Sequence, residues 1–190
     1  MLKFLDTLSQ HLSHKRNPAA LLAGGAATIA GLWLFNLSPA PFSQTVLLAK
    51  TGSGLLDLLP FYTSGEAYRN LSNLGEDGRS AYGLFLAVDY LFIAIYSMTS
   101  AWIISALVRR TPEAGSKLMR LNLVPLALGL CDFVENSCNL AQLLAFPAAL
   151  HSVGTLAGIA TLSKHCLTIL VFGLMAYLAL RAFRPAAKAN

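Results

Sequence analysis

Four polar residues, Asp132, Glu135, Asn136 and Asn139, follow one another at i, i+3, i+4 and i+7. On a helix this spacing puts them on one face two turns long, since residues three and four apart are neighbours there. Two carboxylates beside two carboxamides can hold and pass a proton, or grip a ligand that offers hydrogen bonds. Thr161, Lys164 and Thr168 form a second stripe at i, i+3 and i+7, with His165 beside it. Upstream, Asp89 has Tyr82 and Tyr96 seven residues to either side, on its own helix face. The chemistry these types suggest is acid or base work by Asp132 or Glu135, with Lys164 stabilising negative charge. Asp89, Tyr82, Tyr96, Asn136 and Asn139 would complete a binding surface, together with Thr161, Thr168 and His165.

All three stripes lie in segments otherwise almost free of charge. Of 190 residues, 55% are apolar and 12% charged, and mean hydropathy is +0.58, whereas soluble domains run about 25% charged. With 14 basic and 9 acidic side chains, the chain has too little charge to coat a soluble domain of this size. The expected fold class is therefore all-α: a polytopic membrane protein, a four-transmembrane-helix bundle with short amphipathic and interfacial helices. Crossing about 30 Å of hydrocarbon takes roughly 20 residues. Segments 18–37, 81–108, 121–146 and 152–180 meet that length, in a single membrane domain 1–190.

The first segment has a rival reading as a cleaved signal peptide. Lys3, Lys15 and Arg16 precede it, and Ser38-Pro39-Ala40 mimics a cleavage site. Pro41 directly after that site argues against cleavage. The leader 1–17 also has its own apolar pattern of Leu2, Phe4, Leu5, Leu8 and Leu12, which suits a short amphipathic helix on the membrane face. A retained span is expected.

Orientation follows from the basic residues, because Lys and Arg in short loops stay on the cytoplasmic side. With the N-terminus inside, Lys3, Lys15, Arg16, Arg109, Arg110 and Lys117 fall on that side, as do Arg120, Arg181, Arg184 and Lys188 of the second loop and the basic tail 181–190. Only Lys50, Arg69 and Arg79 fall opposite, beside Asp57, Glu66, Glu76 and Asp77. Both termini are expected in the cytoplasm, in the cell (inner or plasma) membrane. The net charge of +5 is thus topological, and without a basic stripe interleaved with aromatics nucleic acid is not an expected partner.

Residues 38–80 are too interrupted to span. Val46 to Leu48 and Leu55 to Tyr62, broken by Gly52, Gly54 and Pro60, suit an interfacial or re-entrant segment. Thr63-Ser64-Gly65-Glu66 has capping-box spacing. A short helix should follow, with Ala67, Tyr68, Leu71 and Leu74 on one face and a stop at Gly75. This piece reads as a packed cap over the bundle, or as a lid.

No metal or cofactor is expected. Cys131 and Cys138 are about 10.5 Å apart along one helix, too far to pair, and neither Cys nor His spacing matches a zinc pattern. His151 and His165 share one segment and lack an opposing His to hold a haem.

Inside the bilayer an Asp or Lys costs about 2.5–3.5 kcal/mol, so the stripes should turn inward and pair. Lys164 is expected to pair with Asp132 or Glu135, leaving carboxylates over for Asn136 and Asn139. Three acids against one Lys and a titratable His cannot all stay ionised without a further cation or protons. Such a surplus favours a site over a network that merely holds helices together.

The run Leu74-Gly75-Glu76-Asp77-Gly78-Arg79-Ser80-Ala81-Tyr82, then Asp89-Tyr90-x-Phe92 with Tyr96, Asp132-x-x-Glu135-Asn136 and Lys164 resembles a family of small, uncharacterised four-helix bacterial integral membrane proteins. The resemblance covers residues 60–168. It implies that these acids, the Asn and the Lys are family features, and it brings no activity, substrate or cofactor.

Three functional classes follow. In the first, the cluster binds or transforms a lipid-like or quinone-like small molecule within the bilayer. In the second, the protein is a structural or assembly subunit whose polar faces hold the bundle, a membrane-protein partner or a second copy, with Gly24, Ala27 and Gly31 of the first span as a packing face. The third, a proton- or cation-coupled carrier, lacks the expected internal repeat and broken helices; only Pro125 interrupts the third span.

Overall fold

The structure, a computed structural model, describes residues 2–14, 17–111 and 115–183. Lys15, Arg16, Arg184 and Lys188, which enter the orientation count, lie outside the described residues. Among the described residues all regular structure is helical: α1 (Leu2–Leu12), α2 (Pro18–Asn36), α3 (Gln44–Thr51), α4 (Ser64–Val108), the short α5 (Ser116–Met119), α6 (Val124–Ala145) and α7 (His151–Ala182). The helices α2, α4 and α7 are long and apolar enough to cross a membrane. The expected third span corresponds to α6, whose 22 residues reach about 33 Å at 1.5 Å per residue. Asp132, Glu135, Asn136, Asn139 and Gln142 all sit on it, and they keep it from counting with α2, α4 and α7.

Local signals explain the helix starts. Asn17 accepts from the Ala19 N–H at 3.0 Å, and Pro18 follows as the first helical residue of α2, where a missing N–H costs nothing. Thr63 and Glu66 form the reciprocal capping box of α4. The expected stop at Gly75 is instead a break within α4: Gly75 takes φ 66° and ψ −174°, and the helix resumes at once. Glycine alone enters that region without steric cost, so one residue bends a chain whose apolar periodicity continues to Val108. The second membrane helix and the cap helix are consequently one interrupted element.

Helices α4, α6 and α7 pack on one another, and α2 packs on α4. A Cβ at Gly24 would strike Thr99, and one at Gly31 would strike the Phe92 ring. The small-residue face of α2 is therefore used inside the chain, against α4. Close backbone approach lets dispersion replace the hydrophobic drive that lipid cannot supply.

The segment between α3 and α4 folds back along α7. Ser64 abuts Gly154 of α7, the Tyr62 carbonyl abuts Gly158, and Asp57 reaches Lys164. Gly154 to Lys164 corresponds to about 15 Å along the axis of α7. Irregular backbone survives at depth only where it is buried in protein. Leu55, Leu56 and Tyr62 are buried accordingly, and Asn70 donates to the Gly54 carbonyl at 2.9 Å.

At the opposite end α1 lies against the α4–α6 connection. Arg120 grips Asp6 through two bonds of 2.6 and 2.9 Å, and Asn122 donates to the Ser9 carbonyl at 3.0 Å. The Arg120 guanidinium, chiefly through that hydrogen bond, holds the Asp6 carboxyl below its ordinary range.

Candidate functional site

Lys164 gathers the site. Its ammonium lies 2.7 Å from Glu135 Oε2 and 3.2 Å from Asp132 Oδ1, and it contacts Asp57 as well. Asp89, Asp132, Glu135 and Lys164 are 4%, 6%, 0% and 6% exposed. The three stripes on α4, α6 and α7 do face one another. Helical spacing presents each residue inward, and the cost of charge in lipid selects the rotation that brings them together.

Each remaining residue of the stripes has a definite place. Tyr96 donates to Asp132 Oδ2 at 2.7 Å, and Asn136 donates to Asp89 Oδ2 at 2.7 Å. Asn139 was expected to serve a carboxylate; it donates instead to the Tyr62 hydroxyl at 2.9 Å, because Tyr62 stands between it and Glu135. That hydroxyl is itself 3.3 Å from Glu135 Oε1 and 3.2 Å from Asn139 Oδ1. Gln142 extends the row, 3.2 Å from Asn139 Oδ1. Thr161 is fully buried and donates to the Ala157 carbonyl at 2.9 Å. Thr168 donates to the Lys164 carbonyl at 2.8 Å, and a His165 ring nitrogen is 3.0 Å from the Thr161 carbonyl. Tyr82, expected on the binding surface, is instead stacked on Phe85 in an apolar cluster and does not line the cavity, and among the described residues its hydroxyl has no hydrogen-bond partner.

Two halves can be distinguished. Asp57, Asp132, Lys164, Tyr96, His165 and Thr168 line a cavity of about 230 Å³. Its apolar walls come from Leu32 of α2, Phe92 of α4, Leu128 of α6 and Phe172 of α7. Behind it, Glu135, Tyr62, Asn139 and Gln142 form a hydrogen-bonded row within protein. Lys164, which lines the cavity and lies 2.7 Å from Glu135 Oε2, thus joins the two halves, whereas Glu135 belongs to the row and not to the cavity wall.

Sequence reading missed three members. Asp57 was grouped with the acids facing water, although a single acid inside the run Leu55-Leu56-Asp57-Leu58-Leu59 was a signal that this residue is held by something. Tyr62 was counted only as apolar. Gln142 continues the α6 face three residues past Asn139, so the same periodicity contained it.

One carboxylate oxygen each from Asp57, Asp89 and Asp132 lies within 4.8 Å of the others. Three hard oxygen donors could hold a cation such as Mg²⁺ or Ca²⁺. The Lys164 ammonium already touches two of the three, so the chain supplies part of the positive charge itself. Asp89 has only the Asn136 amide against it. Its carboxylate has no cation within salt-bridge distance among the described residues.

Chemically, Asp132 is placed to accept or return a proton at the cavity wall. Tyr96 and Lys164 both donate to its carboxylate form, and Lys164 can neutralise charge that develops on a bound molecule. Comparison with protein-family models, with curated proteins and with solved structures finds no match.

Proposed function

We propose that the chain is a four-span bacterial membrane protein of the inner (plasma) membrane, with both termini cytoplasmic, and that its polar cavity binds or transforms a lipid-like or quinone-like molecule. In this reading α6 is a span. Leu130, Phe133 and Leu144 on its outer face are 63%, 51% and 78% exposed, as a lipid-facing surface requires, while its polar residues turn inward. The ten basic residues of the leader, the second loop and the tail support the orientation.

The observation that carries the functional reading is the cavity. Two carboxylates, an ammonium and a phenol meet there beside Thr28, Ser100, His165 and Thr168, and Leu, Phe and Val make the rest of the walls, a mixture of apolar surface and convergent polar groups that suits a small-molecule site. At about 230 Å³ it fits a head group or a single ring. Asp132 is the acid or base, Lys164 the stabiliser of negative charge, and Tyr96 and Asp57 position them. The second reading, a structural network, is favoured for the Glu135–Tyr62–Asn139–Gln142 row, whose members are buried and hydrogen-bonded away from the cavity.

Thiol accessibility tests this. In a variant with Cys131, Cys138 and Cys166 replaced by Ala, Thr168→Cys and Leu128→Cys should react with a small membrane-permeant thiol reagent. A short-chain quinone or a short-chain phospholipid should slow the reaction. Cysteines at both positions that stay inert while the protein keeps its melting transition would refute the site.

A further inference from the structure

A second concavity lies on the lipid-facing side of α2 and α4. It measures about 410 Å³, and its lining is apolar: Ala27, Gly31 and Trp33 of α2 face Val88, Leu91 and Ile95 of α4. Phe92 lines both this groove and the polar cavity, so the two adjoin at that ring. Taking about 30 Å³ per water-sized group, the groove has room for roughly a dozen methylene-sized groups. Its floor exists because Gly31 leaves the Phe92 ring no Cβ to displace.

The charge beside the groove is one-sided. Asp57, Asp132 and Glu135 converge on the Lys164 ammonium, and an Asp89 oxygen lies within 4.8 Å of those of Asp57 and Asp132; burying that many acids beside one cation is costly unless a further cation or protons join them. Asp89 and the Tyr82 hydroxyl remain incompletely answered. Tyr82 is 1% exposed, and its hydroxyl lacks a hydrogen-bond partner among the described residues. Asp89, with the Asn136 amide at 2.7 Å and no cation within salt-bridge distance among the described residues, is the acid that has a place for one more positive group.

We infer that the occupant is a single-chain amphipath with a cationic amine head, its tail in the α2–α4 groove and its ammonium against Asp57, Asp132 and Asp89. This rests on the reading of the cavity as a ligand site and narrows it from lipid-like to basic and long-chained. The amine supplies the missing positive charge, and the groove supplies dry surface at about 25 cal/mol per Å² of chain buried. An anionic or zwitterionic head would add negative charge where it is already in excess. A chain without the amine would leave the acids as they are.

Trp33, half-exposed in the groove, reports occupancy. In a Trp102→Phe background reconstituted in phosphatidylcholine vesicles, a chain-brominated octadecylamine should quench Trp33 saturably. It should bind at least tenfold tighter than the matching brominated fatty acid or alcohol. Asp132→Asn with Asp57→Asn should abolish that preference, and Ala27→Phe should weaken the long-chain amine while leaving protection of Thr168→Cys by butylamine unchanged. A count of octadecylamine retained by the otherwise unaltered chain, by mass spectrometry, checks the result without the Trp102 change. Equal quenching by amine, acid and alcohol, with Thr168→Cys protected by all three, overturns the amine head but leaves the site. Butylamine protection with no effect of Ala27→Phe on octadecylamine overturns the groove. Protection by Mg²⁺ or Ca²⁺ alone, and not by amine, assigns the acids to a metal instead. No protection by any probe removes the site itself.

Discussion

Among the described residues two sets of ion pairs join distant parts of the chain, one around Lys164 and one between Arg120 and Asp6, and they could hardly be built more differently. Lys164 and its acids lie among α4, α6, α7 and the segment between α3 and α4, with side-chain exposure of 8% for Lys164 and 0% for Glu135. Arg120 and Asp6 meet at the surface with 34% and 33% exposure. The surface pair has the better geometry, two bonds of 2.6 and 2.9 Å from one guanidinium to one carboxylate. Geometry nevertheless does not rank them. Water and salt screen the exposed pair, while the buried cluster has no substitute for any partner it loses. The one tethers α1 to a loop; the other sets how three helices face one another.

The largest expected effect comes from breaking the cluster at its centre. Lys164→Met strands Asp57, Asp132 and Glu135 and should cost about 3–5 kcal/mol, read as a lowered unfolding midpoint in detergent micelles. Replacing Lys164, Asp57, Asp89, Asp132 and Glu135 together by apolar residues of like volume should be near neutral, because no charge of the cluster is then left alone. A neutral Lys164→Met would show that the cluster is solvated like the surface pair, and the contrast would collapse.

Next in size is Gly158→Val. The Tyr62 carbonyl occupies the place of the new side chain, and a backbone group cannot step aside. About 3 kcal/mol is expected, at the upper end of ordinary overpacking, with Asp57 drawn away from Lys164. Loss of stability without any change in reactivity of Thr168→Cys would mean the segment between α3 and α4 does not shape the cavity.

Tyr62→Phe probes the row behind the cavity. It removes the hydroxyl that meets Glu135 and Asn139 and should cost about 1–2 kcal/mol, the penalty for buried polar groups left short of a partner. Cavity labelling should hold. The smallest effect belongs to Asp6→Asn. The Asp6 carboxyl is depressed in the folded state, so its contribution is present above the unfolded carboxyl pKa of about 3.9. It is lost as pH falls through the lower folded value. The hydrogen-exchange protection of α1, corrected for the intrinsic pH dependence of amide exchange, should therefore fall on acidification in the parent, and should already be lower and nearly flat with pH in the variant.

The helices were legible because their signals are local. Asn17-Pro18, the Thr63–Glu66 box and the i, i+3, i+4, i+7 face of α6 each depend on residues within two turns. Gly75 was legible as a special residue and misread in its effect, since a positive φ is the same at a helix end and at a kink. Which follows depends on whether the next turns find something to pack against. Tyr62 was hidden for another reason: its ring supports an apolar reading, and only Gly158 and Glu135 on other helices call on its hydroxyl.

By itself the sequence determined the solvent of this protein, the long apolar helices and the polar faces that must turn away from lipid, because hydropathy and helical period are properties of neighbouring residues. What only the tertiary structure decided is the composition of the cluster and the shape of the space beside it. Asp57 and Lys164 are separated by 107 residues, and no period relates them. They meet because Gly154 and Gly158 let the backbone of residues 62–64 lie against α7 and carry the acid down to the ammonium.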